Sequence, residues 1–404
     1  MRIGVVGLGY VGLVTAAVLS NKGNKVVGVD VAKERVKMLK EGQIPIFEPG
    51  LANKIEESGQ NLKFSSNYSD LSECDAIFLC VPTPNIKGKI DLNYVFEAAK
   101  NVSKYSHSSS LIIKSTVLPG TAKRISEITE MNVISNPEFT REGSAIYDTE
   151  HPNRIVIGGK SVEIAKEIWE FTGSHLLITT NENAELIKYA SNAFLSVKIS
   201  FINQIADLCE RIPRTDVDVV AKGMGLDHRI GAEFLKAGLG YGGSCLPKDT
   251  VALLTFASEN GIKLSIIKSA VEYNKNRVHD LVERIVEDVG TLKGKRVCVL
   301  GLSFKDNTDD LRESRSLLLI EELRKLGAIV HSYDPVVRRV KNFEISRDIE
   351  GCLSSSEIVI TATEWKDFSN IAQSLLQGKE VFDLRRVFDP KVINLTMGVG
   401  IGKD

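Results

Sequence analysis

The chain has 404 residues, 43% of them hydrophobic and 25% charged, enough for two or three domains with cores of their own. A formal net charge of -1 exerts no general pull on nucleic acid or an anionic membrane, so basic residues act only locally. No apolar run approaches bilayer-spanning length, and the opening strand-like segment leaves no room for a signal peptide. The six cysteines (Cys74, Cys80, Cys209, Cys245, Cys298, Cys352) lack the paired spacing of zinc or thioredoxin sites. Neither a metal site nor a disulfide framework is expected, and a reducing, cytoplasmic setting fits.

Arg2 to Val6 reads as a short apolar strand, followed by Gly7, Leu8, Gly9, Tyr10, Val11 and Gly12, then by a helical run from Leu13 to Asn21. In a chain with 32 glycines a G-x-G-x-x-G match alone is weak. Between a strand and a helix, and ahead of a second strand, Lys25 to Val29, that ends at Asp30, it is strong. The glycines make a tight turn and let a pyrophosphate sit at the helix N-terminus, while Asp30 suits a ribose 2′-hydroxyl. A 2′-phosphate would meet that carboxylate's like charge, so the pattern predicts NAD rather than NADP. Arg35 reads either as a phosphate receiver or as a solvated helix charge.

Strand-like runs follow at Ala76 to Val81 and Leu111 to Lys114, each leading into a loop with special chemistry: Pro82, Thr83, Pro84 after the first, Ser115 to Gly120 with Thr116 after the second. Open α/β sheets bind ligands at the carboxyl ends of their strands, so both loops are expected to border a nicotinamide. Val133 to Ser135 is a further strand, followed by Asn136, Pro137, Glu138, Phe139, Thr140, Arg141, Glu142 and Gly143. Glu138 and Glu142 around Arg141 read either as a salt-bridged helix start or as part of a site. Their place after a strand favours the site.

From about Asn181 the alternation gives way to sustained helix, Glu182 to Arg211, with Lys188 and Asn192 four apart and so on one face. A helical lysine usually faces solvent, but apolar Tyr189, Ala190, Ala193 and Phe194 around this one favour a buried, functional position. The stretch Gly240 to Asp249 holds three glycines, then Cys245 at the start of a helix whose first turn is Leu246, Pro247 and Lys248. A lone cysteine is usually a small buried apolar residue. These neighbours make a poor core segment, and the helix dipole and Lys248 would favour a reactive thiolate. Helical runs continue at Thr250 to Glu259 and Leu264 to Val289; such a block would offer apolar surface for self-association. Gly294 opens a second α/β pattern with strands at Lys295 to Leu300, Ile329 to Tyr333, Glu357 to Thr363 and Glu380 to Asp383, and a helix from Ser316 to Leu326. Its loop Gly301 to Thr308 offers an aromatic, Phe304, and a cation, Lys305, and reads either as suited to a second nucleotide or as an ordinary charged surface loop; Arg385 follows the last strand.

Taken in order, Gly7 to Gly12, Asn136 to Gly143, Lys188 with Asn192, Asp227 to Gly231 around Arg229, Gly240 to Asp249, and Gly301 to Glu313 resemble the nucleotide-sugar 6-dehydrogenases of the UDP-glucose/GDP-mannose dehydrogenase family, over almost the whole chain. The resemblance implies an α/β fold of two Rossmann-like doubly wound domains joined by a long central helix. It implies residues 1–180 as the NAD-binding domain, 181–292 as a helical dimerisation domain carrying the catalytic cysteine, and 293–404 as the UDP-sugar-binding domain. It further implies a homodimer or higher oligomer and oxidation of a nucleotide sugar, UDP-glucose to UDP-glucuronate, with two NAD⁺.

By the same resemblance Cys245 captures the aldehyde between two hydride transfers. Lys188 and Asn192 hold oxygen at the reacting carbon, and Thr116, Glu138 and Asp249 place water and shuttle protons. Gly7, Gly9, Tyr10, Val11, Gly12, Asp30, Arg35, Pro82, Thr83, Thr116, Glu142, Lys248 and Arg312 fall to the cofactor. Glu138, Phe139, Arg141, Glu142, Lys188, Asn192, Arg229, Phe234, Leu235, Lys236, Tyr241, Gly242, Phe304, Lys305 and Arg385 fall to the substrate, with Arg229 reaching a neighbouring subunit. Ser244 ahead of Cys245 favours UDP-glucose over UDP-N-acetylhexosamines, but Gly242 to Asp249 does not separate GDP-mannose. A catalytically silent nucleotide-binding protein is the alternative from another class.

Overall fold

Short runs of two to five residues, mostly apolar and closed by glycine or a polar turn, become the strands of two large sheets in the computed structural model, which describes residues 1–341 and 343–402. Asn342 and the last two residues of the predicted 293–404 segment lie outside the described residues. The chain divides into two units, Met1–Ser191 and Asn192–Asp404, with the division inside the long helix Asn181–Cys209.

The first unit holds strands β1 (Arg2–Val6), β2 (Lys25–Val29), β3 (Leu62–Ser65), β4 (Ala76–Leu79), the hairpin pair β5 (Asn85–Ile86) and β6 (Lys89–Ile90), β7 (Ser110–Ile113), β8 (Val133–Ser135), β9 (Ile155–Gly158) and β10 (Leu176–Thr179). Its sheet runs in the order β10-β9-β8-β7-β4-β1-β2-β3. Neighbours are parallel except where β9 meets β8 antiparallel, through Ser135 and Gly158. The central strands β4, β7 and β8 are nearly all buried, as strands covered on both faces must be, and pack apolar residues such as Phe78, Ile112 and Ile134. The first helix starts at Tyr10, inside the glycine fingerprint and three residues before the predicted Leu13. Asn136 to Gly143 is not helical; the next helix is Ala145–Glu150, so the pair Glu138 and Glu142 does not share a helix face.

The second unit contains the helices Val217–Gly225, Leu246–Glu259 and Ser265–Val289, followed by a parallel sheet of β11 (Arg296–Leu300), β12 (Ile329–Tyr333), β13 (Ile358–Thr361), β14 (Glu380–Asp383) and β15 (Met397–Gly398), in the order β12-β11-β13-β14-β15. Several observed strands stop one or two residues short of their predicted ends, because residues such as Val81 and Thr363 already belong to the loops that follow.

One finding departs from the expected absence of disulfides. Cys298 in β11 and Cys352 in the helix Ile349–Ser354, both fully buried, form a disulfide although spacing indicated none. They stand 54 residues apart, and only the packing of that helix against the sheet brings them together. In the Asn181–Cys209 helix the buried side carries Glu185, Lys188, Asn192, Ser196, Ser200 and Asn203, while the apolar Leu186, Phe194, Phe201 and Leu208 are exposed. These polar groups lie inward alongside buried apolar residues such as Tyr189, Ala193 and Ile202, while part of the helix's apolar surface faces outward.

Candidate active site

At the end of β1, Gly7 takes φ +90° and donates its N–H to Val29 O at 2.8 Å. A Cβ on Gly12 would lie 1.8 Å from Gly7 O, so the helix can pack on the turn only with glycine there. A Cβ on Gly9 would meet nothing within 4 Å, leaving open space beside the helix start. Asp30 follows β2 and accepts from Leu8 N and Ala32 N, both at 2.8 Å. Arg35 sits 3.1 Å from the same carboxylate, so its charge is engaged by Asp30. An open glycine turn, amide donors at a helix start and a carboxylate at the second strand fit the phosphates and ribose of a dinucleotide.

Tyr10 donates its hydroxyl to Glu48, and Gly143 N donates to both, at 2.8 Å to Tyr10 and 2.7 Å to Glu48. Glu48 also accepts from Ala145 N at 2.7 Å, capping the helix Ala145–Glu150. Burial and the neighbouring Glu48 carboxylate hold the Tyr10 phenol well above its ordinary value. Glu48 was missed by sequence reasoning; its position ahead of the Pro49-Gly50 turn was the available signal. After β4, Pro82 is exposed and Thr83 is buried.

The Asn136 to Gly143 loop turns Glu138 inward, 3.5 Å from Lys188, and both are buried. Burial by itself would raise the Glu138 carboxyl, but the Lys188 ammonium and the Thr140 hydroxyl outweigh it and hold it below the ordinary carboxylate range. The Phe139 ring lies 5.3 Å from the Lys188 ammonium and 4.1 Å from the Arg154 guanidinium. Arg141 is exposed and paired with Asp148 at 2.7 Å, while Glu142 is half-buried. Thr116, Ser115, Ser135, Glu185 and Lys188 line one small cavity.

In the second unit Cys245 is exposed and caps the N-terminus of the helix Leu246–Glu259, with Pro247 in its first turn. Close approach explains the glycines before it. A Cβ on Gly242 would lie 2.2 Å from Glu313 O, and one on Gly243 would lie 2.7 Å from the Phe304 ring. Asn274 clamps Tyr241 at both its N–H (2.8 Å) and its carbonyl (3.1 Å), and Arg315 donates to that carbonyl at 2.9 Å. One helical turn beyond Cys245, the fully buried Asp249 accepts from Asn192 at 2.6 Å and from Lys248 at 2.7 Å.

Further along this unit, Asp306 is raised by burial and by Glu364, against the lowering pull of Lys305 and Lys236, which brings four predicted or neighbouring charges into one cluster. Arg385 joins it, 3.5 Å from Glu364 and donating to Ala362 O at 3.0 Å. Phe234 takes φ +64°, whereas the Leu235 side chain is buried in the hydrophobic core, leaving only its backbone for a ligand. Arg229 and Arg312 are exposed and paired with Asp227 and Asp310, each at 2.6 Å.

A dinucleotide cradle on one largely parallel sheet, a second α/β sheet with an aromatic-cation loop, and an exposed thiol at a helix start define a nucleotide-dependent oxidoreductase class. The chain belongs to the UDP-glucose/GDP-mannose dehydrogenase family, whose NAD binding domain matches residues 1–171, central domain residues 182–276 and UDP binding domain residues 298–390. It is 41% identical over 414 residues to UDP-glucose 6-dehydrogenase TuaD of Bacillus subtilis (strain 168), covering 96% of this chain and 89% of the relative. A solved UDP-glucose dehydrogenase from Pyrobaculum islandicum superposes with a TM-score of 0.93 at 35% identity, covering 99% of this chain and 98% of the other. A UDP-D-ManNAc dehydrogenase from Pyrococcus horikoshii superposes with a TM-score of 0.90 at 27% identity over the whole of both chains.

Proposed function

We propose that this protein oxidises UDP-glucose to UDP-glucuronate with two NAD⁺. The observation that carries the reading is the exposed Cys245 thiol at the start of a helix whose next turn holds Asp249 buried between Asn192 and Lys248. The Gly7 to Gly12 turn and Asp30 would hold NAD⁺, which would supply the hydride acceptor for each oxidation at the sugar C6. In the first, the hydroxyl proton passes to a base of the Lys188 and Glu138 pair as the alcohol becomes an aldehyde. The Cys245 sulfur then bonds the carbonyl carbon and its proton passes to the oxygen, which keeps the carbon from escaping as free aldehyde. Loss of the second hydride, with that proton passing to the same base once it has released the first, leaves a thioester; water, positioned by Thr116 and Asp249, adds to it, and one of its protons passes to the departing Cys245 sulfur, restoring the thiol. Asn192 and the Lys188 ammonium hold the oxyanion, a contribution worth about 3 kcal/mol for one positioned donor.

Lys236, Phe304, Lys305 and Arg385 grip the UDP moiety, supported by the clustering of the three cations around Asp306 and Glu364. The three segments 1–180, 181–292 and 293–404 act as cofactor, central and substrate domains of a cytoplasmic enzyme. The central one pairs two copies through the outward apolar stripe Phe194, Phe201 and Leu208, spaced by sevens and 64%, 43% and 55% exposed. A Phe201→Glu variant should then run as a monomer in light scattering; an unchanged mass would sink the pairing.

Offered UDP-glucose, GDP-mannose or UDP-N-acetylmannosamine, the enzyme should turn over UDP-glucose and form two NADH per sugar. Cys245→Ala should keep nucleotide binding and make no acid; acid at the parent rate would refute the assignment.

A further inference from the structure

We infer that Glu185, which no sequence motif marks, is a positioning residue for this oxidation: it sets Thr116 against Lys188 by tying the loop that carries Thr116 to the helix that carries Lys188. This rests on the reading of Thr116 and Lys188 as site residues. Glu185 is 3% exposed, and a carboxylate that deep is tolerated only with its oxygens occupied. They accept from Gly120 N at 2.7 Å, Ala122 N at 2.8 Å and the Ser135 hydroxyl at 3.2 Å.

The first two donors sit at the start of the helix Thr121–Thr129, whose cap residue, Gly120, has no side chain to serve those amides. Glu185 therefore caps that helix from another helix, three residues before Lys188. The other end of the loop is anchored separately: Ser115 donates its hydroxyl to Val81 O at 2.7 Å and its N–H to Leu79 O at 3.0 Å. Thr116 thus hangs between two anchors, and Glu185 is the one that shares its helix with Lys188. Ser115, Thr116, Ser135, Glu185 and Lys188 all face one cavity, so a slip of the Gly120 anchor changes the spacing across it. Burial pushes the Glu185 carboxyl up to about 7 against the lowering pull of its three donors; Glu182 on the same helix adds to the rise, and Lys188 is the other charge on the cavity wall.

Glutamine keeps one acceptor and turns an N–H₂ toward an amide donor, so Glu185→Gln releases one end of the clamp. Displacements of about 1 Å in such a site can cost up to about a hundredfold in rate. The test is steady-state kinetics of Glu185→Gln, alone and in a Thr116→Ala background, with both Michaelis constants measured. Expected is a fall in kcat of about tenfold with Michaelis constants within about twofold of the parent, and almost no further fall in the double variant, since one misplacement has already removed what the other supplies. Losses that multiply in the double variant, or a change confined to the Michaelis constants, overturn the inference alone. Parent kcat in Thr116→Ala overturns the role of Thr116 and the inference with it. Where Glu185→Gln does not fold, Glu185→Asp, which keeps the charge and shortens its reach, must give the same kcat-only loss; parent kcat there also overturns it.

Discussion

The two units begin their sheets with the same device and end in different places. In each, a strand runs into a glycine at positive φ, Gly7 at +90° and Gly301 at +97°, whose N–H donates at 2.8 Å to the last residue of the neighbouring strand, Val29 or Tyr333. In each, an aspartate just past that neighbour, Asp30 or Asp334, accepts the next loop amide, Leu8 N at 2.8 Å or Leu302 N at 2.7 Å. The divergence follows at once. The first unit starts its helix at Tyr10, so that helix N-terminus lies directly behind an open glycine turn. The second starts its helix only at Arg315, and Phe304 and Lys305 fill the intervening loop. One chain thus uses a common hydrogen-bonded corner twice; on the proposed function, the first corner would offer backbone amides to a pyrophosphate and the second would present side chains to a different nucleotide. Asp30 is therefore partly structural before any ribose is considered, because its counterpart Asp334 does the same work while fully buried.

The sharpest way to break the parallel is to add a methyl group at each corner. Gly12→Ala places a Cβ against Gly7 O and should weaken NAD⁺ binding by roughly a hundredfold, read by fluorescence titration. Gly301→Ala, with a Cβ 2.4 Å from that of Thr363 and φ +97°, should cost about 3 kcal/mol of stability while the folded fraction binds NAD⁺ at parent affinity. Weakened NAD⁺ affinity in Gly301→Ala would end the claim that the corners serve different ligands.

A smaller effect should separate the two aspartates. Asp334 accepts from Leu302 N, Ser303 N, Val336 N and Val337 N, so Asp334→Asn should lose about 2 kcal/mol in denaturant unfolding; Asp30→Asn should lose less stability and more NAD⁺ affinity. Equal stability losses would erase the distinction.

The smallest lever is pH, and it acts on the first unit through Glu185. Its folded carboxyl lies at about 7 against an ordinary 4.5, so the fold holds the proton more tightly than the unfolded chain does. That contribution to stability is whole below the unfolded value and is lost as pH rises through about 7. The first unit should therefore melt a few degrees lower at pH 8 than at pH 5, and Glu185→Gln should abolish the difference in calorimetry. A parent protein whose melting does not fall over that range would show that the carboxylate is already ionised in the fold.

Much of the site was legible because its signals are local. The turn at Gly7 to Gly12 is set by which residues tolerate tight approach, and Cys245 was marked by glycines before it and a proline after it. Lys188 and Asn192 were found by helical spacing, yet Glu185, at three residues before Lys188 on the same face, completes a polar stripe with Ser196 that the apolar pattern concealed. Helical spacing placed Lys188 and Asn192 on one face and their neighbours favoured burial of Lys188, but it did not show that Glu185, Ser196, Ser200 and Asn203 would be buried too, since burial is decided by what packs against the helix. Asn274 and Arg315 were not anticipated, because a residue that holds another loop's backbone carries no local mark of doing so.

Sequence alone determined the strand, turn and helix order around Gly7 to Gly12 and the start of the second α/β pattern, because these follow from backbone sterics and from repeats a few residues long; it did not show the strands β3, β9, β10 and β15, whose short runs carry little pattern of their own. Only the folded chain decided which carboxylate meets which cation: Glu138 with Lys188, Asp249 with Asn192 and Lys248, Arg141 with Asp148. The same holds for the Cys298–Cys352 bond. Such pairs join residues far apart in the chain, and packing, which places them, depends on all the elements at once.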